Sequence, residues 1–247
     1  MGRCGRVIAG WACGALALLS APLFASGFSV SPTRVDFPAD ERVQGLRLHN
    51  HGDQPIQAQL RVFAWSQVDG EDVLEPSTDL VVSPPMATLA PGSQQLVRIV
   101  RRDGSAAASV ERSYRLLVDE LPPARTQPAS TLPPGLNFVI RYSVPLFIAA
   151  SSAAPAEGEL TWSTETATDG RLRLAVRNPS ARHAQLSGLR VLDAQGQVLH
   201  RHDGLLGYVL AGAGRSWLLD PPAGSLDAAA AIEVRVDDRH ARVPVSH

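Results

Sequence analysis

The stretch NFVIRYSVPLFI, residues 137–148, has strand character throughout and carries a charge at its centre. Its branched and aromatic residues are typical of a β-strand that could be wholly buried, yet Arg141 interrupts them. From Asn137 to Ala150 an extended chain would span about 46 Å, compared with roughly 20 Å for an ordinary strand. The run is too long for one β-sandwich, and we expect its two ends to have different partners.

Short strand-like runs fill the chain on both sides of this stretch. Alternating apolar runs end at turn sequences such as GDQP, VDGED and APGS, and no convincing helical periodicity follows Phe28. The small residues of AASSAAPAEG, residues 149–158, have the composition of a linker. Strand signals then resume for about 90 residues, the size of one more immunoglobulin-type sandwich. We therefore predict an all-β protein of two immunoglobulin-like β-sandwich domains, at residues 27–150 and 151–247.

Residues 1–26 have the three parts of a secretory signal peptide. Arg3 and Arg6 precede an apolar run, and small residues follow at its end. The run is too short and too rich in Ala and Gly for a confident membrane span, although a membrane anchor is the alternative. Both cysteines, Cys4 and Cys13, lie in this segment. We therefore expect an exported mature chain without a disulfide.

The charge of the chain gives no reason to expect a nucleic-acid partner. The formal net charge is −1, and all 23 basic residues are arginines. A general basic surface of the kind that binds nucleic acid is therefore not expected. Any positive site in this chain is a guanidinium, which stays charged and binds a carboxylate through two hydrogen bonds.

Motifs for metal binding or enzymatic catalysis are weak. The pairs His49/His51 and His200/His202 are each spaced for one strand face, but neither has a nearby cysteine or carboxylate cluster to complete a metal site. No serine sits in a G-x-S-x-G elbow, and no glycine-rich phosphate loop precedes a helix. We predict a binding protein that is not an enzyme and uses no metal or other cofactor. A secreted hydrolase with a dispersed site is the weakest alternative.

Five motifs resemble, in order, those of the periplasmic chaperones of the chaperone-usher pilus pathway. They are the first strand FSVSPTRVDF with Thr33-Arg34, the turns of VSPPMATLAPGSQQLVRI at 82–99, the F strand YRLLVDELPP at 114–123, the end of the G strand RYSVPLFI at 141–148, and the Asn-Pro turn VRNPS at 176–180. Each motif alone is common turn or strand chemistry, whereas five in order are specific. The resemblance implies two immunoglobulin-like domains set at an angle, with a cleft between them.

The resemblance implies that the protein is a chaperone of pilus subunits in the periplasm. Such a subunit has an incomplete immunoglobulin-like fold, and chaperone–pilin complexes are a standard example of strand addition. The implied donor side chains are Leu136, Phe138 and Ile140, with core packing from Tyr142 onward. The alternative is that the whole face packs in the protein's own core. The implied partners are a pilus or fimbrial subunit and an outer-membrane usher, without membrane insertion.

The resemblance also implies a basic site for the terminal carboxylate of the subunit. In the best-known branch of the family a lysine late in the G strand contributes to this site, and Pro145 takes its place here. The candidates in this chain are Arg141, Arg34 and Arg115, in that order. The sequence RYSVP resembles that of the archaic branch of the family, in which the pair of anchoring residues comes from strands F and G. Arg141 is out of phase with Ile140, and we expect it to have no buried partner in the free protein.

The ion pair between the domains that the resemblance implies lacks its arginine, since FIAAS follows the G strand. Glu111 keeps the matching acidic position, and Asp237 or Asp238 is the candidate on the C-terminal domain. How the domains are held together is left open by the sequence. The alternative function is an exported two-domain sandwich that binds carbohydrate or another protein, which exposed aromatic residues on one sheet face would favour.

Overall fold

The computed structural model describes residues 27–102, 108–122, 139–150, 158–168, 170–219 and 228–245. The strands before the linker are β1 (Phe28–Ser31), β2 (Val35–Phe37), β3 (Val43–Asn50), β4 (Ile56–Val68), β5 (Glu71–Pro76), β6 (Leu80–Ser83), β7 (Met86–Leu89), β8 (Gln94–Arg101), β9 (Arg112–Leu121) and β10 (Arg141–Ile148). Those after it are β11 (Thr161–Thr166), β12 (Leu172–Arg177), β13 (Ala184–Asp193), β14 (Val198–Val209), β15 (Gly214–Leu219), β16 (Ala229–Val236) and β17 (Arg239–Pro244). No helix in these ranges is long and apolar enough to cross a membrane.

The strands before the linker form two sheets that pack face to face. One is a 4-stranded sheet in the order β1-β3-β8-β6, and the other is a 6-stranded sheet in the order β2-β10-β9-β4-β5, with β7 paired to β4. Side chains alternate between the two faces of each strand, so every second residue enters the core. On β9 these residues are Tyr114, Leu116 and Val118, all buried. Arg115 and Asp119 lie on the outer face of the same strand.

The strands after the linker form the second sandwich. A 3-stranded sheet, β11-β12-β15, packs on a 4-stranded sheet, β14-β13-β16-β17. The core of this sandwich contains Leu174, Leu186 and Ile232. The side chain of Asn178, from the Asn-Pro turn, donates hydrogen bonds to Arg182 O at 2.7 Å and to Val209 O at 3.0 Å, which ties this turn to the end of β14.

The core of the first sandwich takes up β10 from Tyr142 onward, as predicted. Tyr142 packs against that core, its hydroxyl donates to Phe28 O at 2.6 Å, and its ring meets the Phe28 ring edge-on. Val144, Leu146 and Ile148 continue the same face as buried residues. The part of the chain before Tyr142 therefore extends beyond the sandwich core.

Candidate functional site

Backbone hydrogen bonds show which neighbouring strand the N–H and C=O groups of each β10 residue face. Glu120 N donates to Ile140 O at 2.9 Å on the β9 side, and Ala149 N donates to Phe37 O at 2.9 Å on the β2 side. Backbone groups alternate in direction along a strand. The backbone N–H and C=O groups of the even-numbered residues of β10 therefore face β9. Those of the odd-numbered residues face β2.

The β2 side of β10 is an open strand edge over the first half of the strand. β2 pairs with β10 in parallel only at residues 146–148. Within the described ranges, no strand lies beside Arg141 and Ser143 on that side. Their backbone groups face a position that no described strand fills, although Ser143 O accepts a hydrogen bond from Arg115, and such an edge is a template for an added strand. We call residues 139–143 the open edge.

The open edge ends at Pro145 and Arg34. Pro145 is odd-numbered, so the N–H group that it lacks would have pointed toward the open side. Arg34 directly precedes β2, whose first residue, Val35, lies opposite Leu146. A strand added along the open edge would therefore lie in line with β2 and stop at Arg34.

Arg115 is positioned at this end of the open edge by cross-strand pairing and by an aromatic stack. It lies opposite Pro145 on β9. Its guanidinium carbon is 3.6 Å from the centroid of a Trp65 ring and 5.8 Å from the Tyr208 ring, and NH1 donates a long 3.5 Å hydrogen bond to Ser143 O. Burial lowers the pKa of Arg115. The stack fixes the guanidinium plane beside the end of the open edge.

Arg34 reaches the same place from β2 and contacts both domains. Its Nε donates to Asp36 Oδ2 at 2.9 Å, and its NH1 donates to Gln185 Oε1 at 3.2 Å. Burial raises the pKa of Tyr208, whereas the nearby charges of Arg34 and Arg115 lower it. Two of the three predicted anchor residues therefore lie around one phenol, at the junction of the domains.

The third predicted anchor residue, Arg141, lies apart from the other two. It is opposite Asp119, four residues along β9 from Arg115, which is about 13 Å along the strand. Arg141 Nε donates to Asp119 Oδ1, and Arg61 NH2 donates to Asp119 Oδ2 at 2.7 Å. Asp119 is only 8% exposed. The prediction that Arg141 has no buried partner in the free protein is therefore wrong, because the spacing of residues along one strand does not reveal its cross-strand neighbours.

Asp119 with Arg61 and Arg141, which we call the Asp119 cluster, links three strands on the outer face of the sheet. Burial alone would raise the pKa of Asp119, but hydrogen bonds from Arg141 and Arg61 hold it below its usual range. Beside the cluster, Glu120 Oε2 accepts a 3.2 Å hydrogen bond from Ile140 N. Two acidic residues of β9 therefore hold the beginning of β10.

The structure describes one of the three predicted donor side chains. Ile140 is half-buried and lies on the same face of the chain as the core residues of β10. Its neighbour Val139 points the other way and is 54% exposed. Leu136 and Phe138 lie outside the described residues, so their role stays a prediction.

Glu111 lies at the contact between the domains, bound to a histidine. Its Oε1 accepts a 3.0 Å hydrogen bond from His183 N and lies 2.7 Å from His183 Nδ1. The two side chains are 6% and 2% exposed, and the His183 ring stacks on Phe147 with 3.6 Å between centroids. Asp237 instead bonds within its own domain, accepting from Gln185 N at 3.1 Å. Asp237 thus affects the junction only through Gln185, which contacts Arg34.

Sequence reasoning missed the apolar part of this junction. Trp65, Phe147, Tyr208 and Leu210 form a separate buried cluster. Gln67 makes two hydrogen bonds to the same backbone segment. Its Nε2 donates to Tyr208 O at 2.8 Å, and its Oε1 accepts from Leu210 N at 2.9 Å. Trp65 and Phe147 both lie on the outer face of their strands. A large aromatic residue at an outward-facing strand position was the sequence signal that could have indicated this junction.

The β4–β5 hairpin makes a second contact with the C-terminal domain. Gly70, at φ 80°, forms an isolated bridge with Arg215, and its carbonyl accepts a 3.1 Å hydrogen bond from Ser216 N. A Cβ atom at Gly70 would lie 2.7 Å from Ser216 Oγ. This close approach and the positive φ together require glycine here.

The histidine pairs that the sequence places on strand faces make other contacts. The rings of His49 and His51 lie against each other with centroids 3.6 Å apart, and His51 Nε2 is 2.8 Å from Ser29 Oγ. Over the described ranges, no group of three or more His, Cys, Asp or Glu side chains is close enough to hold a metal ion.

These features define a protein of two β-sandwiches with an open strand edge that ends between two arginines. The family model of pili and flagellar-assembly chaperones, PapD N-terminal domain, matches residues 27–153. This match spans more than half of the chain, and the chain belongs to that family. A search of curated proteins finds no match.

Solved structures share the whole fold. A chain of the CsuC–CsuE pre-assembly complex of archaic Csu pili from Acinetobacter baumannii is 24% identical, with a TM-score of 0.65 over 88% of this chain and 97% of that one. A chain of the SafA pilin–SafB chaperone complex from Salmonella enterica is 25% identical, with a TM-score of 0.61 over 92% and 99%. The CupB2 chaperone of Pseudomonas aeruginosa is 20% identical, with a TM-score of 0.57 over 88% and 100%. The predicted class of two immunoglobulin-like sandwiches is confirmed.

Proposed function

We propose that the protein is a periplasmic chaperone that binds pilus subunits by donor-strand complementation through β10 and delivers them to an outer-membrane usher. The observation that carries this proposal is the open edge at residues 139–143, in line with β2. A subunit with an incomplete immunoglobulin-like fold needs such a strand beside its own. Family membership supports the subunit as partner and, with the signal-peptide pattern, the periplasm as location. Delivery to the usher, and the archaic branch, rest on the resemblance of the motifs.

The position of the two arginines indicates how the subunit lies on the chaperone. A chain whose terminal carboxylate binds Arg34 and Arg115 must run toward β2, and therefore parallel to β10. Ile140, with Phe138 and Leu136 before it, would then enter the apolar groove of the subunit. Arg141 is less suited to the carboxylate because it already binds Asp119. We therefore place Arg34 and Arg115 ahead of Arg141 as anchor residues.

Three neighbouring substitutions test strand donation. Ile140→Asp places a charge on the face that would enter the groove, where the charge must be desolvated without a partner. Val139→Asp places the same charge on the opposite, exposed face of the same chain. We expect Ile140→Asp and Phe138→Asp to remain folded but to lose the subunit, and Val139→Asp to retain it. The measurement is protection of a refolding pilus subunit from proteolysis.

The result separates donation from ordinary core packing. Full protection by Ile140→Asp would remove β10 as the donor strand. Global unfolding of Ile140→Asp would show instead that this face packs in the chaperone's own core. If the wild-type protein protects no subunit, the proposed function itself is wrong.

The anchor residues are tested with a subunit that carries a C-terminal carboxamide. Removing a buried charge partner weakens such contacts by about 2–5 kcal/mol, so we expect a loss of this order for Arg34→Ala with the natural subunit. Amidation should add little to the effect of Arg34→Ala, because both changes act on one contact. Additive losses would show that Arg34 acts elsewhere, and Arg141→Ala provides the comparison.

The alternative of a carbohydrate-binding module is not favoured by the structure. Such a site would use exposed aromatic side chains on one sheet face, whereas Trp65, Phe147 and Tyr208 are buried at the domain junction. Their burial assigns them to holding the domains together.

A further inference from the structure

We propose that Asp119 is a positioning residue that holds the beginning of β10 extended, so that the open edge is ready for an added strand. This inference rests on the proposed function and names a residue that supports the open edge without touching the subunit. The carboxylate of Asp119 lies on the outer face of β9, opposite Arg141, and its side chain is 11% exposed. The open edge itself is formed by backbone groups of β10.

The contacts of Asp119 tie the first residue of β10 to the middle of the sheet. One carboxylate oxygen accepts from Arg141 on β10, and the other accepts from Arg61 on β4 at 2.7 Å. Asp119 therefore joins the edge strand to a strand two positions inward. The next residue, Glu120, holds Ile140 through its backbone N–H and through its Oε2. Consecutive acidic residues of β9 thus fix consecutive residues where the chain enters the sheet.

The beginning of β10 needs such support because, among the strands that the structure describes, it pairs with β9 alone. A strand end held from one side opens locally more easily than a strand held from both sides. Any disorder in the open edge must be removed when a partner strand is added, and this ordering weakens the complex. A side-chain contact that orders the edge beforehand therefore strengthens subunit binding. Arg141 can provide it because its side chain lies on the outer face while its backbone groups face the open position.

The charges of the Asp119 cluster keep this contact in place across the ordinary pH range. Two guanidiniums face one buried carboxylate, and their hydrogen bonds lower its pKa. Asp119 therefore stays ionised, and neither arginine depends on a histidine or another group that titrates near neutral pH. The side chains of Arg61 and Arg141 are 44% and 62% exposed, so the carboxylate is the buried member of the cluster.

A direct role of Arg141 in binding the subunit carboxylate predicts the opposite effect of one substitution. If Arg141 bound the subunit, Asp119 would compete for the same guanidinium, and Asp119→Asn would strengthen subunit binding. If Asp119 positions β10, Asp119→Asn loosens the strand and weakens binding. The sign of the change therefore distinguishes the two roles.

The experiment measures the affinity of wild-type protein and Asp119→Asn for a pilus subunit refolded in their presence. We expect Asp119→Asn to bind about three- to tenfold more weakly, as for the loss of one ordered side-chain contact. In the free variant, the Tyr142 amide, which points to β9, should exchange with solvent faster. Glu165→Gln is the control, because it removes an exposed carboxylate that binds Arg173 in the other domain.

A second variant keeps the test valid if Asp119→Asn does not fold. Arg141→Met removes the contact to β10 while Asp119 remains paired with Arg61, and it should weaken binding by the same factor for subunits ending in a carboxylate or a carboxamide. Tighter binding by Asp119→Asn, a loss in Arg141→Met that disappears with the carboxamide, or unchanged affinity in both variants would overturn the positioning role. Failure of the wild-type protein to bind a subunit would overturn the proposed function and this inference together.

Discussion

The two halves of β10 belong to one strand but lie in opposite surroundings. Leu146 and Ile148 have β2 on one side and β9 on the other, and they are 0% and 2% exposed. Arg141 and Ser143 are exposed and have β9 alone beside them in the described part of the sheet. Pro145 lies at the boundary between these two halves. The same backbone therefore stabilises the protein at one end and, at the other, has no described partner strand on its β2 side.

This difference separates the free energy of folding from the free energy of binding. We call residues 146–148, which pair with both β2 and β9, the closed half of β10, and the residues before Pro145 the open half. Apolar burial in the closed half contributes to the stability of the free protein. The open half contributes little until another chain supplies the missing strand. An exposed edge also invites self-association, and a charged residue and a proline on the edge are common ways to limit it. Arg141 and Pro145 are the two residues of this kind on β10.

The largest expected effect comes from truncating a side chain in the closed half. Leu146→Ala removes a fully buried side chain and should lower the free energy of unfolding by about 2–5 kcal/mol. Ile140→Ala, in the open half, should lower it by less than about 1 kcal/mol, because Ile140 is only half-buried in the free protein. Urea denaturation of both variants measures the contrast. Equal losses would show that the two halves serve one core.

The sequence allowed part of this division to be predicted. The length of the run and its period of two predicted core packing from Tyr142 onward, because both signals are local to one strand. Strand donation by the residues before Tyr142 stays a prediction. The arrangement around Asp119 could not be predicted. Asp119 lies far along the chain from Arg61, and only the register of β9 against β4 brings them together. His183 as the partner of Glu111 was hidden for the same reason, since it comes from the other domain.

The second prediction concerns pH and contrasts Tyr114, opposite Leu146, with Asp119, opposite Arg141. Burial and the hydrogen bond to Asp79 raise the pKa of Tyr114 from 10.0 to about 12. The folded state therefore holds this proton more tightly, and the resulting stability is complete below pH 10 and is lost as the pH rises through 12. A shift of this size corresponds to about 2–3 kcal/mol.

The contribution of Asp119 to stability has the opposite dependence on pH. Because its folded pKa is lowered, its contribution is present above the usual pKa of an aspartic acid and is lost as the pH falls through the lowered value. Thermal unfolding of wild-type protein, Tyr114→Phe and Asp119→Asn as a function of pH measures both. Tyr114→Phe should flatten the alkaline limb and leave the acid limb unchanged. An unchanged alkaline limb would contradict the assignment to Tyr114.

The third prediction concerns the outer face of the closed half, where Phe147 stacks on His183. Glu111→Gln keeps the size of the side chain but removes the charge that His183 faces, and it should destabilise the domain junction by about 2 kcal/mol, as for a hydrogen bond to a charged group. The tryptophan fluorescence of a variant that keeps Trp65 and has Phe at positions 162 and 217 should change at lower urea concentration with Glu111→Gln than without it. Glu165→Gln is the control, because it removes an exposed carboxylate that pairs with Arg173 within the C-terminal domain, away from the junction. Coincident transitions in wild type and Glu111→Gln would show that the pair does not hold the junction.

The smallest expected effect is that of Pro145→Ala, at the boundary between the halves. The new N–H group would point toward the open side, directly before the position that β2 occupies, and could donate to the last residue of an added strand. One such hydrogen bond is worth about 0.5–1.5 kcal/mol, so the subunit complex should dissociate a few-fold more slowly. The melting temperature of the free protein should change little, since no hydrogen bond within the sandwich is gained. Pro244→Ala, at the edge strand of the other domain, is the matched control and should leave dissociation unchanged. A large loss of stability in Pro145→Ala would mean that packing of the buried ring, and not the missing N–H group, explains why proline separates the two halves of β10.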